Sequence, residues 1–99
     1  MNANRKLTKT IMGRTIKNAI QSDNSSLEIT FDDDSKMTIK TNGQVDTKAL
    51  IGLNIGKVQQ QDTTLRLVGA DTKSTDVPLN EATSSVMLRD KTNGIEYAD

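Results

Sequence analysis

The densest group of chemically capable side chains in this 99-residue chain is the run Asp32, Asp33 and Asp34. Carboxylate oxygens hold hard cations such as calcium, which makes the run a weak candidate metal site. Its spacing departs from an EF-hand loop, where acidic ligands alternate and a glutamate closes the set. Here three consecutive aspartates lead into Ser35 and Lys36. Aspartate also populates tight turns, because its carboxylate accepts hydrogen bonds from the backbone just ahead of it. A solvated turn is therefore the expected role of the run.

Catalytic chemistry is poorly supplied. The chain has no Cys and no His, which removes the thiolate nucleophile, the usual general base near neutral pH and the two commonest zinc ligands. Ser, Thr and Lys are present, but none sits in a Gly-x-Ser-x-Gly setting. Gly52 and Gly56 match neither the Walker nor the dinucleotide-binding spacing. A carboxylate pair could be assembled only in space, with Glu28 or Glu96 near an aspartate. The expectation is a protein without enzymatic activity and without a cofactor.

Two groups of residues suit contact with a partner. Residues 1 to 22 carry Arg5, Lys6, Lys9, Arg14 and Lys17 and no acidic residue, against a formal net charge of zero for the whole chain. Such asymmetry can mark a surface for weak contact with phosphate or an acidic protein, although packing of a helix on a sheet is the leading reading. If residues 3 to 12 form a helix, Ala3, Leu7 and Ile11 share one face and the cations largely avoid it. At the other end, Val86, Met87 and Leu88 form a continuous apolar stretch, and Tyr97 is the only tyrosine. Both faces of a strand there would need covering, with a second copy of the chain as one candidate cover. The expected partners are a homodimer mate or an unidentified protein. With Phe31 and Tyr97 as the only aromatic residues, a base-stacking surface is lacking, and this argues against nucleic acid.

The elements that must position these residues emerge from an internal comparison. Residues 8 to 16 line up with residues 47 to 55 at an offset of 39, bringing Gly13 onto Gly52 and Ile16 onto Ile55. The register continues through Gln21 on Gln60 and Asp23 on Asp62. A one-residue deletion then changes it to 38, with Leu27 on Leu65, Asp33 on Asp71 and Ile39 on Val77. Repeats over residues 8–41 and 47–79 result. Ile16, Ala19 and Ile20 alone would extend a helix to about Gln21, but Gly52, Asn54 and Gly56 make the second copy a poor helix interior. A short helix ending at Gly13 or Gly52, followed by a strand, satisfies both copies. Asp46 is the expected N-cap of the second helix. A β-bulge at Ala19 and Val58 would keep the apolar residues spaced three apart on one face.

The remaining strands follow from alternation. Leu27, Ile29 and Phe31 alternate with polar residues, as do Met37 and Ile39 after the aspartate turn. The second copy repeats this hairpin with Leu65 and Leu67, then Val77 and Leu79, where Pro78 points to an edge. Beyond the repeats, Asn80 to Ser84 are expected to form one helical turn. Residues 85–98 are expected to form a hairpin turning at Asn93-Gly94.

The expected fold is thus α+β and strand-dominated: a short helix plus three antiparallel strands, twice, with a C-terminal hairpin. It would form one antiparallel sheet or a small, partly open barrel within a single domain, residues 1–99. Leu, Ile, Val and Phe total 22 of 99 residues, so the core must be thin. No apolar run approaches the roughly 20 residues of a membrane span, and a soluble, cytoplasmic protein is the default. Its expected function is that of a small interaction or accessory module. The alternative is an anionic-ligand or nucleic-acid binder using the basic N-terminal region.

Overall fold

A computed structural model describes residues 1–99. The chain runs β1 (Asn2–Ala3), α1 (Arg5–Ile11), β2 (Ile16–Ser22), β3 (Ser26–Phe31), β4 (Lys36–Lys40), α2 (Thr47–Leu50), β5 (Ile55–Gln61), β6 (Thr64–Gly69), β7 (Ser74–Pro78), β8 (Val86–Arg89) and β9 (Ile95–Ala98). Strand accounts for 51% of the residues and helix for 11%, so sheets carry the fold. The strands divide into two antiparallel sheets, ordered β1-β5-β6-β7 and β2-β3-β4-β8-β9, instead of forming one sheet, and no barrel closes. No helix is long and apolar enough to cross a membrane.

Each helix is short for an identifiable reason. The Asn4 side chain accepts from the Leu7 N–H and starts α1 at Arg5. Ala3 therefore lies outside the helix, exposed in β1 opposite Gln59, while Leu7 and Ile11 are buried as expected. Asp46 caps α2 by accepting from Ala49 N–H. Both helices stop two residues before a glycine with positive φ, Gly13 at 89° and Gly52 at 92°. Other residues adopt this left-handed conformation at a cost.

The bulges fall two residues earlier than expected. The register shifts between Ile16 and Asn18 and between Ile55 and Lys57, making Lys17 and Gly56 the inserted residues. The consequence is the anticipated one, since Ile16 and Ala19, like Ile55 and Val58, face the core. The one-residue difference in length between the segments falls in the following turns, where Asp23, Asn24 and Ser25 link β2 to β3 but only Asp62 and Thr63 link β5 to β6. Asp23 and Asp62 both take positive φ.

Three longer loops share one construction. In 31–35, 69–73 and 90–94 the first N–H donates to the fifth carbonyl, the fourth N–H donates to the first carbonyl, and the fourth residue has positive φ. Aspartate stabilises each by accepting from backbone ahead of it: Asp33 from Ser35, Asp71 from Lys73, and Asp90 from Thr92 and Gly94. The Asn93-Gly94 turn is thus a five-residue loop. Residues 80 to 84 are bends without a helical turn. There the Ser85 hydroxyl donates to the Glu81 carbonyl and accepts from the Glu81 N–H, so a side chain closes the loop.

The α-β-β-β segments from Arg5 to Lys40 and from Thr47 to Pro78 join through reciprocal hydrogen bonds. Ile16 N–H donates to Leu53 O and Ile55 N–H to Arg14 O, both at 2.9 Å. Gly13 N–H reaches Ile55 O and Gly52 N–H reaches Ile16 O, both at 2.8 Å. At the opposite end Asn42 N–H donates to Pro78 O and Asn80 N–H to Lys40 O. Isolated bridges at Thr15–Asn54 and Thr41–Leu79 mark these two junctions. Each helix packs on the first strand of the other segment, α1 on β5 and α2 on β2. Twenty buried residues from both segments and the C-terminal hairpin form one core cluster.

Candidate interaction site

The basic residues separate into two sets. Arg14 and Lys17 turn towards the aspartate loop. The Arg14 guanidinium lies 3.3 Å from Asp33 Oδ2 and 2.8 Å from Glu96 Oε2, donates to Ser35 Oγ at 2.9 Å, and sits 6.0 Å from the Phe31 ring centre. Its contact with Glu96 is an ion pair, since no N–H aims at that oxygen well enough to count as a hydrogen bond. Lys17 pairs with Asp34 at 2.5 Å. Both cations are thus engaged within the molecule.

The three consecutive aspartates diverge. Asp32 accepts from Thr15 N–H, Asp33 serves Ser35 and Arg14, and Asp34 serves Lys17. No group of three or more acidic side chains gathers in an arrangement that could hold a metal ion.

Arg5, Lys6 and Lys9 form the second set. All three are exposed on α1 and none takes part in an ion pair. Lys6 Nζ lies 5.8 Å from the centre of the Tyr97 ring, within cation–π range. Tyr97 is 5% exposed. Its hydroxyl accepts from Asn4 Nδ2 at 3.2 Å and lies 3.4 Å from Asp99 Oδ2. Burial, the largest influence, pushes the Tyr97 pKa above its ordinary value, and the neighbouring Asp99 adds to it. Asn4, Arg5, Lys6, Tyr97 and Asp99 border an open cleft of about 640 Å³ that also includes Gln60, Asp62 and Ala82, while Lys9 lies outside it on α1. Gln60 Nε2 donates to Ala82 O and pins the far wall. The N-terminal strand, the 80–85 loop and the C-terminal strand therefore meet at one place.

Met87 stands apart from this cleft. Val86 and Leu88 face the core, while Met87 is half-buried on the outer face of its sheet between Thr38 and Ala98. Asn4, Gln60 and Asp99 were not singled out by sequence reasoning. Asn4 carries a detectable signal, its N-cap chemistry, whereas Gln60 and Asp99 join the cleft through tertiary contacts alone.

The carboxylates with displaced pKa values all move downward. At Asp33 burial works to raise the value, but the Ser35 hydroxyl and N–H and the Arg14 cation outweigh it. Hydrogen bonds from Ser25, Lys17, Arg66 and Thr92 lower Asp23, Asp34, Asp76 and Asp90 respectively. A carboxylate depressed in the folded state adds stability above its unfolded pKa, and this is lost as pH falls through the folded value. The melting temperature should accordingly fall as pH drops below about 4, the ordinary aspartate range. Thermal melts from pH 6 to pH 2 test this, and Asp33→Asn should flatten the decline. No protein-family model, characterised protein or solved structure matches the chain.

Proposed function

We propose that this chain is a non-enzymatic protein-interaction module that receives an acidic partner on α1 and the Tyr97 cleft. The observation carrying this reading is the division of the cations. Arg14 and Lys17 are neutralised internally, whereas Arg5, Lys6 and Lys9 stand free of ion pairs on α1, the first two lining a polar cleft beside a buried tyrosine. Unpaired charge at a concave surface steers an oppositely charged partner and fixes its orientation. The reading also treats the two α-β-β-β segments as copies of one ancestral unit. The aligned residues and the reciprocal hydrogen bonds support that view. On it, the cleft lies where residues added to the copies, 1 to 4 and 80 to 99, meet Arg5, Lys6, Gln60 and Asp62 of the copies themselves.

A titration of the ¹⁵N-labelled chain with an acidic peptide of alternating Glu and Leu tests the proposal. The amides of Asn4, Lys6 and Tyr97 should shift. Lys6→Glu should weaken binding by about 10-fold, the loss of a charge contact with reversal of its sign. Absence of shifts at these residues up to millimolar peptide would refute it. A single-stranded oligonucleotide is the competing probe. Steeply salt-dependent shifts at the same residues, stronger than those from the peptide, would replace the protein partner with an anionic polymer.

A further inference from the structure

Strands β4 and β7 hold corresponding places in the two α-β-β-β segments, but only β4 has both edges paired. β8 lies antiparallel against β4, with Lys36 opposite Arg89, Met37 opposite Leu88, Thr38 opposite Met87 and Ile39 opposite Val86. Its Leu88 is fully buried, and β9 beyond it places Glu96 against Arg14. β7 ends its sheet, with β6 on one side and no strand on the other. At the offset of 38, Ser74, Thr75, Asp76 and Val77 occupy the positions of Lys36, Met37, Thr38 and Ile39. The space that the β8–β9 hairpin fills beside β4 corresponds here to a cleft of about 740 Å³ between β7 and the end of α2. Ala49, Ile51, Leu53, Ala70, Ser74 and Thr75 are among its lining residues.

We infer that the free edge of β7 accepts an extended strand from another protein, antiparallel and hydrogen-bonded at Ser74 and Asp76. Strand addition of this kind takes its affinity from main-chain bonds and its specificity from alternate side chains. The chain's own β8 supplies the template: side chains in the places of Val86 and Leu88 turn inward, and those in the places of Met87 and Arg89 turn outward. One difference sets the preference. Arg14, which meets acidic Glu96 in the first segment, is replaced at the corresponding position by Leu53. The incoming strand should therefore present apolar groups to Ile51, which is 47% exposed, and Leu53. Pro78 limits the length of the contact. Lys40, at the corresponding position, donates its N–H to Ser85 O, and proline has no N–H to offer. Self-pairing of β7 centred on Asp76 would set two aspartates opposite each other, which disfavours a second copy as occupant. This surface is separate from the Tyr97 cleft and does not depend on it.

The test uses the full ¹⁵N-labelled chain and two blocked heptapeptides. One carries the sequence of residues 85 to 91, and the control has Glu in place of its Val and Leu. The first should slow amide exchange at Ser74 and Asp76 by about 10-fold at saturation and shift Ile51, while the control should do neither. Ile51→Lys, at an exposed position, should weaken the first peptide by about 10-fold with the melting temperature unchanged. Four results would overturn the inference: no change at β7 with millimolar peptide, equal binding of both peptides, displacement of β8 from β4, or concentration-dependent dimerisation through β7. Binding confined to Asn4, Lys6 and Tyr97 would also overturn it, while leaving the interaction reading intact.

Discussion

Phe31→Ala should destabilise the protein by about 3–5 kcal/mol, the range for removing a buried aromatic side chain. Phe31 is the only phenylalanine, is fully buried at the end of β3, and pairs across the strand with Ile16. Its ring also underlies the Arg14 guanidinium. The corresponding position in the second segment is Gly69, where a Cβ would come within 2.6 Å of Leu53 Cδ1. There a leucine lies over a bare backbone, whereas in the first segment an arginine lies over a ring. A domain of this size has about 5–15 kcal/mol of stability in total, so the variant should be partly unfolded near physiological temperature. Urea denaturation checks the prediction: the midpoint should fall with the slope nearly unchanged. A loss below about 1 kcal/mol would mean that the site collapses around the missing ring.

The local structure was largely legible because two segments of one chain constrain each other. Gly52, Asn54 and Gly56 excluded a long first helix that Ile16, Ala19 and Ile20 would otherwise support. The helix ends at Met12 and Ile51 and the bulged strands agree with that comparison. The bulge itself was displaced by two residues, because apolar spacing locates the side chains that must share a face and not the residue that absorbs the slack. Residues 80 to 84 failed differently. Their composition permits a helical turn, and the outcome is decided by a hydroxyl, Ser85, that offers the backbone another partner.

The division into two sheets was not legible, since alternation reports which face of a strand is buried and not which strand lies beside it. The candidate site was legible in part. Charge asymmetry drew attention to five cations, but the contacts that divide them come from distant residues. Tyr97 reaches Asn4 across a separation of 93 positions. Glu96, noted only as one member of a conceivable carboxylate pair, proves to share Arg14 with Asp33.

The second large effect is expected at that same arginine. Arg14→Ala should cost about 2 kcal/mol, below the 3–5 kcal/mol of a fully buried pair because Asp33 remains half exposed. Besides the ion pair with Asp33, three losses combine. The Glu96 oxygen that faces Arg14 has no hydrogen-bond donor to replace it, Ser35 Oγ loses a charged donor, and the Phe31 ring loses its cover. The consequence should be concentrated in β9, which has only β8 as a strand neighbour and which Arg14 ties to the 31–35 loop. Amide exchange at Tyr97 should therefore accelerate more than exchange at Ile29, which lies between two strands. A companion variant separates charge from packing. Glu96→Gln in the Arg14→Ala background removes the unpaired charge and should recover part of the loss, and the double-mutant cycle should give a coupling of about 1 kcal/mol or more. Additive effects would show that Arg14 acts through Asp33, Ser35 and Phe31 and not through Glu96. Arg14→Leu, which copies the residue at the corresponding position 53, should then recover only the part that comes from covering Phe31. If the ion pair carries the effect, Arg14→Leu should behave like Arg14→Ala until Glu96 is also neutralised.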